Sequence, residues 1–211
     1  GIGLLFWGVT EPLAYYTNWW GTPFNVAPYT PEAQALAMGA TIFHWGLHGW
    51  AIYGIVALAL SFFAYNKGLP LSMRSVFYPI IGDRAWGWIG HVIDILAVIA
   101  TLFGLATSLG LGAQQAASGI KHVFGIDGGI GLQLMIITVV TFIAILSVIR
   151  GINGGVKLLS NINMILAFIL LVVVIFLGFD VAKYSIPNTL LDYIKNIIPL
   201  SNPFGREDQS W

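Results

Sequence analysis

The sequence predicts an all-α integral membrane protein, and three observations lead to that class. Hydrophobic residues make up 57% of the 211 residues and charged residues only 9%, whereas a soluble domain carries roughly 25% charged residues. The mean hydropathy is +0.83. The apolar residues are gathered into long runs, and a run that crosses a bilayer must be helical because a lone strand leaves its backbone hydrogen bonds unsatisfied in lipid.

Five apolar runs make residues 1–211 a single membrane region without a separate soluble domain. The predicted spans cover residues of about 1–16, 33–65, 88–117, 130–149 and 156–179. The first run is short of the roughly 20 residues that a crossing helix needs. We therefore expect its beginning to be missing and the chain to be a piece of a longer protein.

A further segment after the fifth run has a different pattern. Residues 189–199 place apolar side chains at helical spacing with polar side chains between them. This arrangement is typical of an amphipathic helix that lies in the membrane interface rather than crossing the bilayer.

The basic residues are distributed unevenly between the loops. They are concentrated after the second and the fourth run, at Lys67, Arg74, Arg84, Arg150 and Lys157. Because basic loops stay on the cytoplasmic side, we expect these two loops to face the cytoplasm. The protein is then a multi-pass protein of the plasma (inner) membrane.

Charge and cysteine content exclude several functions. Nine basic and nine acidic residues cancel, which argues against nucleic acid as a partner, and the absence of cysteine excludes disulfide and cysteine-based metal chemistry. His44 and His48 are four residues apart, but a zinc site usually needs a third or fourth protein ligand. We predict no catalytic residue, no metal and no cofactor; a membrane metalloenzyme that also uses Glu11 is the rival interpretation.

Three aromatic residues lie near the middle of the second run, where interfacial tryptophan and tyrosine are not expected. At 100° per residue along a helix, Trp45, Trp50 and Tyr53 share one broad face, and Gly46 and Gly49 leave room beside the rings. Electron-rich rings of this kind attract a quaternary ammonium group through cation–π interactions. The alternative is that the rings only pack between helices.

A polar stripe runs along the third run. Its members are spaced by seven residues and therefore lie on one helix face: Asp94, Thr101, Ser108 and Gln115. Hydroxyl oxygens on this face could serve a hard cation such as sodium, although Leu105 interrupts the stripe. Hydrogen bonds between helices are the alternative function of such residues.

Four segments resemble the betaine/choline/carnitine transporter family. Residues 1–12 (GIGLLFWGVTEP) are similar to its third transmembrane segment, residues 43–53 (FHWGLHGWAIY) to its fourth, residues 93–101 and 107–112 (IDILAVIAT, TSLGLG) to its fifth, and residues 159–164 (LSNINM) to its seventh. The resemblance implies a twelve-helix secondary transporter built from two inverted five-helix repeats of the leucine-transporter type. This chain would then be helices three to seven, the first repeat with a truncated first helix.

The resemblance also implies roles for particular residues. Trp45, Trp50 and Tyr53 match aromatic positions that contribute to substrate binding. Gly1 and Gly3 match backbone positions that border the substrate and one sodium site.

An ion site is implied on the fifth helix of the family. Thr101 matches the first of two hydroxyl ligands of a sodium site, and the second ligand position falls on Leu105, which has no oxygen. Ser108 lies nearby and is the remaining candidate ligand, so the coupling ion is left open between Na+ and H+.

The expected function is ion-coupled transport of quaternary ammonium osmolytes, such as glycine betaine or choline, by alternating access. The implied partners are the lipid bilayer, the second repeat of the same protein and, through the amphipathic stretch near Asp192, two further copies in a homotrimer. A carnitine-type exchanger and a non-transporting packing subunit are the alternatives.

Overall fold

A computed structural model describes residues 2–202, 204 and 208, and these residues form helices joined by loops and turns, without a strand. The helices are α1 (Ile2–Tyr16), α2 (Pro31–Trp45), α3 (Leu47–Ser61), α4 (Met73–Val76), α5 (Tyr78–Ile81), α6 (Trp88–Phe124), α7 (Ile130–Ile149), α8 (Lys157–Leu177) and α9 (Phe179–Ser201). They fall into two compact units, one made of Gly1–Phe43 with Gly110–Trp211 and the other of His44–Leu109.

Four helical stretches in the described part of the chain are long and apolar enough to cross a membrane. They are Pro31–Asn66, Trp88–Phe124, Ile130–Ile149 and Gly154–Leu177. The prediction of an all-α protein with membrane-spanning helices is therefore confirmed. The arrangement as one repeat of a leucine-transporter-type fold stays a prediction.

The second predicted span differs most from the structure. Residues 33–65 were expected to form one continuous helix, but α2 ends at Trp45 and α3 begins at Leu47. Gly46 lies between them with φ −92° and ψ −135°, outside the helical region. Hydropathy does not reveal such a break, because the apolar stretch continues on both sides of it.

Two other helices are longer than the sequence pattern indicated. Helix α6 continues to Phe124 rather than residue 117, and it ends where Gly125 takes a φ of +70°, a common way to terminate a helix. Helix α9 begins at Phe179 rather than about residue 189, and it contains Pro187. Its apolar periodicity is interrupted near that proline, so only the later half was apparent from the sequence.

The first unit is held together by close contact of α1, α2 and α9. Its buried cluster consists of Tyr15, Ala37, Ala40 and Leu200. A Cβ atom on Gly39 would lie 3.3 Å from the backbone oxygen of Asp192, so the backbones of α2 and α9 approach closely. Small residues permit this kind of packing between helices in membranes, and α9 is thereby anchored along α2.

Candidate functional site

The break between α2 and α3 is the centre of the candidate site. The Trp50 N–H donates to the Gly46 carbonyl oxygen at 3.2 Å, which is the first hydrogen bond of α3. A Cβ atom on Gly49 would lie only 2.7 Å from the carbonyl oxygen of His44. Because real Cβ atoms do not come this close to backbone oxygen, the geometry of the break requires glycine at position 49.

Two of the three predicted aromatic residues lie together on α3. The ring centroids of Trp50 and Tyr53 are 6.0 Å apart with an interplanar angle of 47°. The side chains are 65% and 72% exposed, so ring faces are accessible to a ligand. Aromatic faces attract a cation within about 6 Å of the centroid, at about 0.5–2 kcal/mol per ring.

Trp45 does not lie on the same helix as Trp50 and Tyr53, contrary to the expectation from the sequence. A shared face for Trp45, Trp50 and Tyr53 assumed a continuous helix, and the interruption at Gly46 removes that assumption. Trp45 is the last residue of α2, and its ring lies 5.0 Å from the His44 ring with an interplanar angle of 32°. The role of all three residues in substrate binding stays a prediction.

The two candidate ion ligands lie on the continuous helix α6. Thr101 and Ser108 are both exposed and, seven residues apart, share a face of this helix. The Thr101 hydroxyl donates to the carbonyl oxygen of Ala97 at 2.8 Å, which leaves its oxygen lone pairs available as acceptors. Leu105 is exposed between them. Hydroxyl oxygens are thus present on this face, and their role in ion binding stays a prediction.

Asp94, the first residue of the polar stripe, is paired with Arg74. The Asp94 carboxylate accepts hydrogen bonds from the Arg74 backbone N–H at 3.0 Å and from the Arg74 Nε at 2.5 Å. The guanidinium also contacts His91 Nδ1 at 3.2 Å. Since arginine only donates, Nδ1 of His91 is the acceptor. Asp94 therefore joins the segment before α6 to the start of that helix and is not available on the stripe as a free carboxylate.

Replacing Arg74 by Met is expected to lower the stability of the protein by about 1–2 kcal/mol, since a hydrogen bond to a charged group contributes that much when partly shielded from water. The measurement is the thermal unfolding temperature of the purified transporter. The matched control is Arg84→Met, because Arg84 is exposed and forms no ion pair with any residue that the structure describes. Equal unfolding temperatures for the two variants would contradict the anchoring role of Arg74.

The glycines assigned to the substrate lie at the start of α1. Gly1 falls outside the described residues. Gly3 belongs to the regular helix α1, and its nearest neighbour is Oε1 of Gln115, 3.8 Å from where a Cβ atom would be. That oxygen is buried and has no hydrogen-bond partner within the described range. The last member of the polar stripe therefore faces α1, and Gly3 lies in regular helical backbone in contact with it.

The structure separates the two histidines of the rival metalloenzyme interpretation between two helices. His44 lies at the end of α2 and His48 at the start of α3, so these residues, four apart in the sequence, do not lie on one continuous helix. In the described part of the chain, no three acidic or histidine side chains are grouped as metal binding requires. 

Neither the break in the second span nor the partner of Asp94 is evident from the sequence pattern. Gly46 and Gly49 were the only signals of the break, and they were interpreted as thin positions in an intact helix. For Asp94, the signal was a carboxylate in the second turn of a span with arginines in the loop before it. Side-chain spacing along one helix cannot indicate a partner twenty residues away.

Comparison with known proteins gives the family. The model of the betaine/carnitine/choline family of transporters matches residues 1–211. A glycine betaine/proline/choline/ectoine transporter of Vibrio parahaemolyticus serotype O3:K6 (strain RIMD 2210633) is 70% identical over 211 residues, which is 100% of this chain and 38% of that protein. Glycine betaine transporter 1 of the same strain is 68% identical over 100% of this chain and 40% of its own length.

A more distant relative agrees with these two. Glycine betaine transporter OpuD of Bacillus subtilis (strain 168) is 41% identical over 215 residues, 100% of this chain and 41% of that protein. The chain thus spans about two-fifths of the length of the curated relatives it matches. These relatives are transporters rather than enzymes, and the family consists of multi-pass membrane proteins. With four helical stretches able to cross a membrane and a family match over all 211 residues, the chain belongs to the betaine/carnitine/choline family of transporters.

Proposed function

We propose that this chain is the first-repeat part of a secondary transporter that moves quaternary ammonium osmolytes, glycine betaine or choline, across the plasma membrane. Trp45, Trp50 and Tyr53 bind the ammonium group through their ring faces. Gly1 and Gly3 contribute backbone positions that border the substrate. No covalent chemistry and no cofactor are needed.

The helix break at Gly46 is the observation that carries this proposal. It lies near the middle of the candidate span Pro31–Asn66, and Trp45 and Trp50 lie on its two sides. Non-helical backbone at membrane depth is tolerated where protein buries it or where it lines a water-filled cavity, and transporters use discontinuous helices to form binding sites at the midplane. If the helix were intact, its three aromatic residues would be explained equally well by packing between helices and by substrate binding.

Coupling to an ion is proposed through α6. Thr101 and Ser108 supply hydroxyl oxygens to a sodium ion, with protons as the alternative coupling ion because Leu105 provides no oxygen. Each ligand shifts the equilibrium between outward-open and inward-open states only through its different affinity for the two. The remaining partners are the second repeat of the same protein and two further copies in a homotrimer.

The proposed substrate follows from the names of the relatives and from the chemistry of the aromatic side chains. The names of the three relatives described above include glycine betaine, and one also includes proline, choline and ectoine. Aromatic faces without a required counter-charge suit a large, weakly hydrated cation. The carnitine-type exchanger differs in needing no ion gradient, and the packing subunit differs in binding no substrate.

Uptake by the full-length transporter in liposomes tests the proposal. We expect labelled glycine betaine or choline to accumulate when an inward sodium or proton gradient is imposed, and not when both gradients are absent. Substrate should also quench tryptophan fluorescence of the purified protein. Carnitine exchange without any gradient would favour the exchanger, and absence of both uptake and quenching would favour the packing subunit.

A further inference from the structure

A polar cavity lies between the first half of α2 and the helix α9. Its volume is about 400 Å³. Its polar lining consists of Gln34, Ser185, Asn188, Thr189, Asp192 and Lys195. This cavity belongs to a different unit from the break at Gly46. No step of the proposed substrate or ion binding uses it, and only the stretch near Asp192 has a proposed role, in contact between copies.

The lining contains two opposite charges, Asp192 and Lys195, that do not pair with each other. A neighbouring pair on the same helix shows the contrast. Asp180 and Lys183, three residues apart on α9, form an ion pair with a 3.0 Å distance between Oδ1 and Nζ. Asp192 and Lys195 have the same spacing on the same helix, yet neither forms an ion pair with any described residue. A carboxylate and an ammonium group are therefore both available to a ligand in the cavity.

An apolar groove continues from the cavity. The groove lies between α1 and α2, has a volume of about 470 Å³, and is lined by residues that include Gly8, Val9 and Leu13. Gln34 and Met38 line both the groove and the polar cavity. The two spaces thus adjoin along α2, one polar with both charges and the other mainly apolar.

From this arrangement we infer a binding site for a phospholipid with an ethanolamine headgroup. The phosphate accepts hydrogen bonds from the Lys195 ammonium, the lipid ammonium donates to the Asp192 carboxylate, and the hydroxyl and amide side chains satisfy the remaining oxygens. One acyl chain lies in the groove beside Met38. A zwitterionic headgroup can pair with both charges. An anionic headgroup would leave the Asp192 carboxylate unpaired, and a purely cationic one would leave the Lys195 ammonium unpaired.

The surface of α9 favours a lipid over a soluble zwitterion. This helix is not among the stretches that can cross a membrane, and next to the cavity it exposes large apolar side chains, among them Leu191, Ile194 and Ile198. A helix with charged and apolar faces lies at the level of lipid headgroups. The inference rests on the membrane location of the family and not on the proposed substrate.

Lipid binding to the delipidated full-length transporter tests the inference, with native mass spectrometry as the readout. We expect dioleoyl-phosphatidylethanolamine to bind more tightly than dioleoyl-phosphatidylcholine, whose quaternary nitrogen cannot donate a hydrogen bond, and than dioleoyl-phosphatidylglycerol, which has no ammonium group. Glycerophosphoethanolamine, which lacks acyl chains, should not compete at equal concentration.

Three variants locate the site. Lys195→Gln and Asp192→Asn should each weaken phosphatidylethanolamine binding roughly tenfold, the contribution of one charge-assisted hydrogen bond. Met38→Trp should weaken it by filling the groove without changing a charge. The matched control is Lys183→Gln, on the same helix but paired with Asp180, which should leave binding unchanged.

The contrary results are distinct. Unchanged binding in Lys195→Gln and Asp192→Asn would overturn the site, and so would equal affinity for the three lipids. Full competition by glycerophosphoethanolamine would overturn the lipid assignment in favour of a soluble zwitterion. If an Asn188→Cys variant forms a disulfide-linked dimer, and added lipid does not lower the yield of that dimer, a second copy of the chain fills the cavity instead.

Discussion

Trp50→Leu is expected to raise the KM for uptake of a quaternary ammonium substrate by about ten- to thirtyfold in the full-length transporter, while protein abundance in the membrane changes little. A desolvated cation–π contact with tryptophan contributes about 2 kcal/mol, which corresponds to roughly thirtyfold in affinity. Because the Trp50 side chain is 65% exposed, its removal leaves no internal cavity in this part of the chain. Loss of ligand binding should therefore exceed loss of stability.

The controls for Trp50 separate binding from packing. Trp50→Phe retains an aromatic face and should keep more uptake than Trp50→Leu. Trp88→Leu removes an indole that is 75% exposed at the start of α6, where an interfacial role is expected, and should leave the KM unchanged. If uptake and abundance fall in parallel in Trp50→Leu, the ring serves packing, and the aromatic site is wrong.

The helices themselves followed from the sequence because lipid leaves the backbone little choice. The run of residues 130–149 contains no charged residue and no proline, and α7 occupies those same residues. Ends set by local chemistry were less predictable. Helix α6 stops only where Gly125 adopts a positive φ, and several earlier glycines in the same helix, such as Gly119, do not stop it.

The candidate site was predictable in its residue types and not in its geometry. Trp50 and Tyr53 are three residues apart on one helix, so their pairing follows from helical periodicity, and the structure contains it. Trp45 is separated from them by a backbone conformation at Gly46 that no periodicity encodes. Likewise, the Arg74 contact with Asp94 depends on how the segment 67–87 folds back on α6, which spacing along one helix cannot indicate.

The break at Gly46 also explains why two glycines lie close together in an otherwise bulky segment. Gly46 adopts the non-helical conformation, and Gly49 allows the His44 carbonyl oxygen to approach the first turn of α3. The two positions have different requirements, since the first concerns backbone torsion angles and the second concerns space. Substitution at position 49 is the cleaner test, because alanine there changes the available space without opposing helix formation.

Gly49→Ala is expected to reduce uptake more than tenfold. The added Cβ atom would lie 2.7 Å from a backbone oxygen, and overpacking of this kind typically costs about 1–3 kcal/mol. Relief requires the His44 carbonyl oxygen and the first turn of α3 to move apart, and that movement displaces Trp50, which lies next to the substituted residue. The measurements are uptake, the unfolding temperature and quenching of tryptophan fluorescence by glycine betaine.

Gly54→Ala is the matched control on the same helix. A Cβ atom on Gly54 would meet nothing within 4 Å, and alanine is favoured over glycine in a helix by up to about 1 kcal/mol, so this variant should keep full uptake and an equal or higher unfolding temperature. The decisive comparison is between the two alanines. Identical uptake in both would mean that the approach of His44 to residue 49 does not hold the aromatic side chains in place, and the helix break would lose its proposed part in substrate binding.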